Sequence, residues 1–106
     1  MTTVLDHLAD TRTGDKGDTL ILAVLPRGAA EFHHLVSHLT EEVIAHHFQV
    51  PIDAVTREVV GTVESMVFKI KGILGGGVTG SPVLDGHGKT LSYHALSIKL
   101  PVLTQP

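Results

Sequence analysis

The sequence predicts an α+β domain in which a mostly antiparallel sheet is covered on one face by a single helical region. Three observations carry this reading. Thr19 to Leu25 is a short continuous apolar run with β-branched content, the pattern of a central strand buried on both faces. Residues 29 to 48 change period: Phe32, Leu35, Val36, Leu39, Val43 and Ile44 recur at three- and four-residue spacings. Met66, Phe68 and Ile70 then alternate with Ser65, Val67 and Lys69, and links of hairpin length outnumber crossovers.

In chain order, residues 3 to 10 read as a first strand, followed by a polar turn from Thr11 to Asp18 and by the central strand, which Pro26-Arg27-Gly28 stops. Within the helical region Thr40 precedes Glu41-Glu42, an N-cap followed by acids in the first turn, so the spacing predicts two helices or one bent helix. Leu35, Leu39, Val43 and Ile44 are expected to pack on the sheet. Strands follow at 56 to 60 and 63 to 71, then a glycine-rich loop from Gly72 to Gly80. Val83-Leu84, the turn 85 to 89 and residues 90 to 100 read as a closing hairpin with Leu96, Ile98 and Leu100 on one face.

A chain of 106 residues is one domain, 1 to 106, with room for one core. Surface scaling lets a chain of this mass bury roughly 65% of its unfolded surface, enough to stand without staples. None is possible, because the absence of cysteine excludes disulfides, thiolate metal sites and cysteine nucleophiles. The longest apolar stretch is far shorter than a membrane span and no basic region precedes an apolar run at the start, so a cytoplasmic location without membrane contact is expected. The net charge is −3 and the basic residues are scattered, which argues against nucleic acid. Only 18% of residues are charged and mean hydropathy is +0.25. So apolar a surface is expected to meet a second copy, a larger partner chain, or both.

Three constellations bear on chemistry. In the first, Arg12 is followed by Gly14-Asp15-Lys16-Gly17-Asp18, where glycines free backbone N–H groups and Arg12 and Lys16 add positive charge, a composition suited to a carboxylate or phosphate. It lacks the spacing of a P-loop. The alternative is a tight turn with Asp15 and Lys16 paired on the surface. The second is Gly75-Gly76-Gly77-Val78-Thr79-Gly80-Ser81, whose consecutive glycines demand positive φ or a close approach by backbone or ligand. Its candidate ligand groups are Gly75, Gly76, Gly77 and Thr79; an interface or chain reversal is the competing reading. The third is His34, His38, Glu42 and His46 at four-residue spacing, which would share one face of a continuous helix. The Thr40 cap interrupts that ladder, so these are expected to be solvent-facing polar groups, with no metal and no cofactor. No Ser-His-Asp or nucleophile-elbow pattern is present, and no catalytic residue is assigned.

The strings TRTGDKGDT, HLTEEVIAHHF, LGGGVTGS and VLDGHGKTL, in this order over nearly the whole chain, resemble the ferredoxin-fold domain of the acyclic terpene utilisation family. The resemblance implies a ferredoxin-like α+β sandwich and a setting in bacterial terpenoid or acyl-thioester breakdown. It departs from the family pattern at Ile21, Ala23, Val67 and Gly80, where Asn, Gly, Asn and Arg are expected. Because the family's domain commonly sits at the end of a much larger chain, the expected function is an accessory or small-ligand-binding subunit working with a larger, separately encoded chain. The alternative is a small enzyme acting on an anionic acyl or terpenoid substrate, with Asp15 or Asp18 as acid or base and Lys16 and Arg12 holding the anion.

Overall fold

Alternation along two central strands decides the architecture. The structure, a computed structural model, describes residues 2–72 and 95–102. Among them are β1 (Thr2–Val4), β2 (Ala9–Lys16), β3 (Thr19–Pro26), α1 (Ala29–His38), α2 (Glu41–Phe48), β4 (Val55–Val60), β5 (Ser65–Ile70) and β6 (Lys99–Pro101). Four of the strands form an antiparallel sheet in the order β2-β3-β5-β4, and β1 pairs separately with β6. Since β5 lies between β3 and β4 and is antiparallel to both, β3 and β4 run parallel, joined through the two helices. That is the split β-α-β unit of a ferredoxin-like sandwich. The outer place beside β3 is taken by β2, so the N-terminal hairpin supplies the fourth strand.

In β3, Leu20, Leu22 and Val24 are fully buried while Ile21, Ala23 and Leu25 between them are half-buried; β5 repeats the pattern with Met66, Phe68 and Ile70. The register sets Leu20 opposite Ile70, Leu22 opposite Phe68 and Val24 opposite Met66, so one apolar face spans the sheet centre. The expectation of a strand buried on both faces is therefore corrected: helices cover one face of β3, and the other is covered only in part.

On the covered face sit Phe32 and Leu35 of α1, Leu39, and Ile44 and Ala45 of α2, all buried, with Val36 and Val43 partly buried against the same core. Two helices form. Leu39 leaves helical geometry at φ −93° and ψ 79°, and the Val43 N–H donates to Thr40 Oγ1 at 3.3 Å to cap α2. The second helix ends where Gln49 turns left-handed at φ 58° and its N–H bonds back to the Ala45 and His46 carbonyls. Between the helices Arg57 of β4 intervenes: its Nη1 donates to the Val36 carbonyl at 2.9 Å and the Leu39 carbonyl at 3.0 Å, groups that the end of α1 leaves without helical partners. The Arg57 N–H in turn donates to Glu41 Oε2 at 3.3 Å.

Several boundaries differ from the sequence reading. Residues 11 to 16 continue β2 instead of forming a turn, and Leu5–His7 is a 3-10 turn that breaks the first strand into β1 and β2. Gly61–Val63 is another such turn, leaving Val63 65% exposed and starting β5 at Ser65. At the C-terminal side Ala95 and Leu96 are helical, Ile98 and Leu100 are buried, and β6 pairs with β1; the proposed turn at 85 to 89 lies outside the described residues. Among the described residues no helix is long and apolar enough to cross a membrane.

Leu39 is fully buried at the junction of the helices. Chemical denaturation of Leu39→Ala is expected to show a loss of about 2 to 5 kcal/mol, whereas a change below about 0.5 kcal/mol would place the residue on the surface. Arg57→Met keeps an apolar stem but loses both donors, and the same measurement should show a cost of about 1.5 to 3 kcal/mol.

Candidate functional site

Pairing of β2 with β3 runs from Ala9 opposite Pro26 to Lys16 opposite Thr19, so Gly17 and Asp18 alone make the connection. A two-residue hairpin link matched to strand twist needs positive φ at its first position, and Gly17 supplies it at φ 66°. Gly14, Asp15 and Lys16, read from the sequence as part of a turn, belong to the strand. Side chains alternate there. Arg12, Gly14 and Lys16 stand opposite Ala23, Ile21 and Thr19 on the open face of the sheet, while Asp15 stands opposite Leu20 on the face that the helices cover. All four residues are exposed, and neither Asp15 nor Lys16 forms an ion pair among the described residues. The surface pairing of these two is not formed.

Asp18 is held locally: its Oδ1 accepts from Thr19 Oγ1 at 3.5 Å, and its carbonyl accepts from the Gly72 N–H at 3.1 Å. Gly72 follows β5 with φ 80°. The last described residue before the glycine-rich segment is thus bonded to the hairpin link. Gly75, Gly76, Gly77 and Thr79 themselves lie outside the described residues.

Two cross-strand rows define the open face. One runs Arg12, Ala23, Val67, Glu58, and the next runs Gly14, Ile21, Lys69, Thr56. The first row is apolar in the middle and charged at its edges, while the second carries Lys69 beside Ile21. Ile21, Ala23 and Val67 adjoin one another here. Lys69, absent from the sequence-derived set, joins the cations of this face; its alternation with the buried Phe68 and Ile70 was the available signal, and only strand pairing could place it in the same row as Gly14.

The histidine ladder is divided by the break at Leu39. His34 and His38 remain on α1 with ring centroids 4.5 Å apart, and His34 Nε2 donates to the Pro101 carbonyl at 2.8 Å, tying α1 to β6. No group of three or more His, Asp or Glu side chains positioned for a metal ion occurs among the described residues. A separate cleft of about 610 Å³ lies between α2 and the segment before and including β6, lined by Thr40, Glu42, Val43, His46, Ile98 and Lys99, among others. One wall holds Thr40, Glu42 and His46 of the HLTEEVIAHHF string, but the other lies some 50 residues away, so the sequence pattern does not bring the two together.

A family model described as the AtuA ferredoxin-like domain matches residues 3–101. No curated protein and no solved structure matches the chain.

The two glycines of the hairpin separate by conformation. Gly17 has positive φ, so Gly17→Ala is expected to lose about 1 kcal/mol or more in denaturant titrations. Gly14 has no positive φ, and nothing lies within 4 Å of a Cβ built on it. Gly14→Ala should leave stability unchanged or raise it by about 0.5 kcal/mol.

Proposed function

The chain belongs to the family of AtuA ferredoxin-like domains, which associates it with acyclic terpene utilisation, and we propose that it acts there as a small-ligand-binding accessory subunit for a carboxylate- or phosphate-bearing compound. The observation that carries this reading is the division of charge by strand alternation. Arg12 and Lys16 share the open face with Gly14 between them, and Asp15, whose carboxylate would cancel one of those charges, lies on the opposite face. Four residues of strand separate the two cations by roughly 13 Å, within reach of two long side chains converging over a glycine. Lys69 stands two strands from Gly14, about 10 Å away. An anion above Gly14 would meet three cations. The glycine run begins three residues after Gly72, whose N–H is bonded to the hairpin link. Backbone N–H groups of Gly75, Gly76 and Gly77 and the Thr79 hydroxyl would add donors to the site.

The same alternation favours binding over catalysis. An acid or base at Asp15 would stand on the wrong face for a substrate held by Arg12 and Lys16, and Asp18 accepts from Thr19 and sits at the link itself. The chemistry would then come from a larger, separately encoded chain. In the second reading, a small enzyme, Asp18 is the one remaining acid or base.

Thermal melting with inorganic phosphate and with hexanoate tests the proposal. A hundredfold excess over the dissociation constant stabilises by about 2.7 kcal/mol, so Tm should rise for at least one of the two probes. In Lys16→Ala the rise should vanish while the melting point without probe stays near that of the parent, since an exposed lysine contributes little to folding. Equal shifts in parent and variant would sink the site, and a variant unfolded without probe would make Lys16 a structural residue.

A further inference from the structure

The open face is self-complementary, and we propose that it is covered by a second copy of this chain related by a two-fold axis parallel to the strands. The row Arg12, Ala23, Val67, Glu58 carries a cation at one edge and a carboxylate at the other, with small or apolar residues between. Neither charge has an ion-pair partner within the described residues. Turning a second sheet over about an axis between β3 and β5 lays β4 of the copy over β2, and β5 of the copy over β3. Arg12 then meets Glu58 of the copy, and Glu58 meets Arg12 of the copy, as an isologous contact requires. Ala23 faces Val67 at the centre. In the neighbouring row Lys69 passes over Ile21, where its four-carbon stem covers apolar surface and its ammonium remains in water.

The alternatives for this symmetry are fewer than they look. An axis perpendicular to the strands and passing through this row would set Arg12 against Arg12 and Glu58 against Glu58, two like-charge contacts. Of the two axes through the row, the strand-parallel one pairs both charges with opposite partners. The mean hydropathy of +0.25, high for a small domain, fits a face that is not left in water. Four strands about 4.8 Å apart make a face roughly 19 Å wide, smaller than a standard interface, so the association is weak and concentration-dependent. The inference rests on this face and not on the anion reading; because Thr56 of the copy lies over Gly14 in the neighbouring row, pairing of two copies and an anion above Gly14 compete for the same surface.

Sedimentation equilibrium without any added anion tests it, at chain concentrations on the order of 100 μM, well above a micromolar dissociation constant. The parent should have twice the mass of the 11.3 kDa chain. Arg12→Glu and Glu58→Arg should each be monomeric, the double variant should recover the dimer, and an equimolar mixture of the two single variants should form a heterodimer. The mixture is decisive because each single variant then presents the charges that the other lacks. A monomeric parent, or single variants that dimerise like the parent, overturns the proposal. Circular dichroism checks folding; if a charge reversal unfolds the chain, Val67→Lys at the centre of the row takes its place and must also give a monomer. Since no phosphate or carboxylate probe is present, failure of the dimer and failure of the anion site are read separately.

Discussion

Arg57 joins the helical layer to the sheet. It extends from the edge strand to the carbonyls of Val36 and Leu39, where the first helix stops and the second has not begun. Helix ends strand polar groups that must find partners. Here one guanidinium answers two of them, Glu41 returns a carboxylate oxygen to the Arg57 N–H, and the Thr40 hydroxyl caps the second helix. The break is thereby held in place. With it fixed, Leu35 and Leu39 come down over the sheet from one helix and Ile44 and Ala45 from the other, and together they cover the row of Leu20, Leu22, Val24, Met66, Phe68 and Ile70. Both α1 and α2 lie on that side. The other face of the sheet, which neither α1 nor α2 covers, carries Arg12, Gly14, Lys16 and Lys69.

Much of this was legible from residues alone, and the failures share a cause. The helical region was readable because its apolar spacing reports a single covered face, and the Thr40 cap because Thr-Glu-Glu states its own local chemistry. The strand Ala9–Lys16 was not, since it is an edge strand whose two faces are solvated or half-covered. Thr11, Arg12, Thr13, Asp15 and Lys16 carry no apolar period, and two nearby glycines mimic a turn. Polarity was mistaken for irregularity. In β3 the opposite holds: Ile21, Ala23 and Leu25 are as apolar as their buried neighbours, so composition could not tell the face under the helices from the half-buried one.

The candidate site follows the same logic. Its residue types were visible in the sequence, but which of them act together is a question of parity along a strand, and parity has no meaning until the segment is known to be a strand. Assigning residues 14 to 16 to β2 separates Asp15 from Arg12 and Lys16, and strand pairing brings in Lys69 from more than fifty residues away. The cleft beside α2 was beyond reach for a similar reason. Its walls meet only through the packing of the helix on the C-terminal segment.

The small two-stranded sheet has a consequence of its own. Thr2 is paired with Pro101 and Val4 with Lys99, while His34 secures the far end of β6 to the first helix. The two ends of the folded unit therefore leave from adjacent points, about 5 Å apart at paired backbone positions. A domain so closed can be spliced into a surface loop of another protein, or cut elsewhere and rejoined across its own ends by a linker of a few residues, without unthreading the larger sheet. Either operation would leave the β2-β3-β5-β4 order untouched, because the clasp that closes the chain contributes no strand to it.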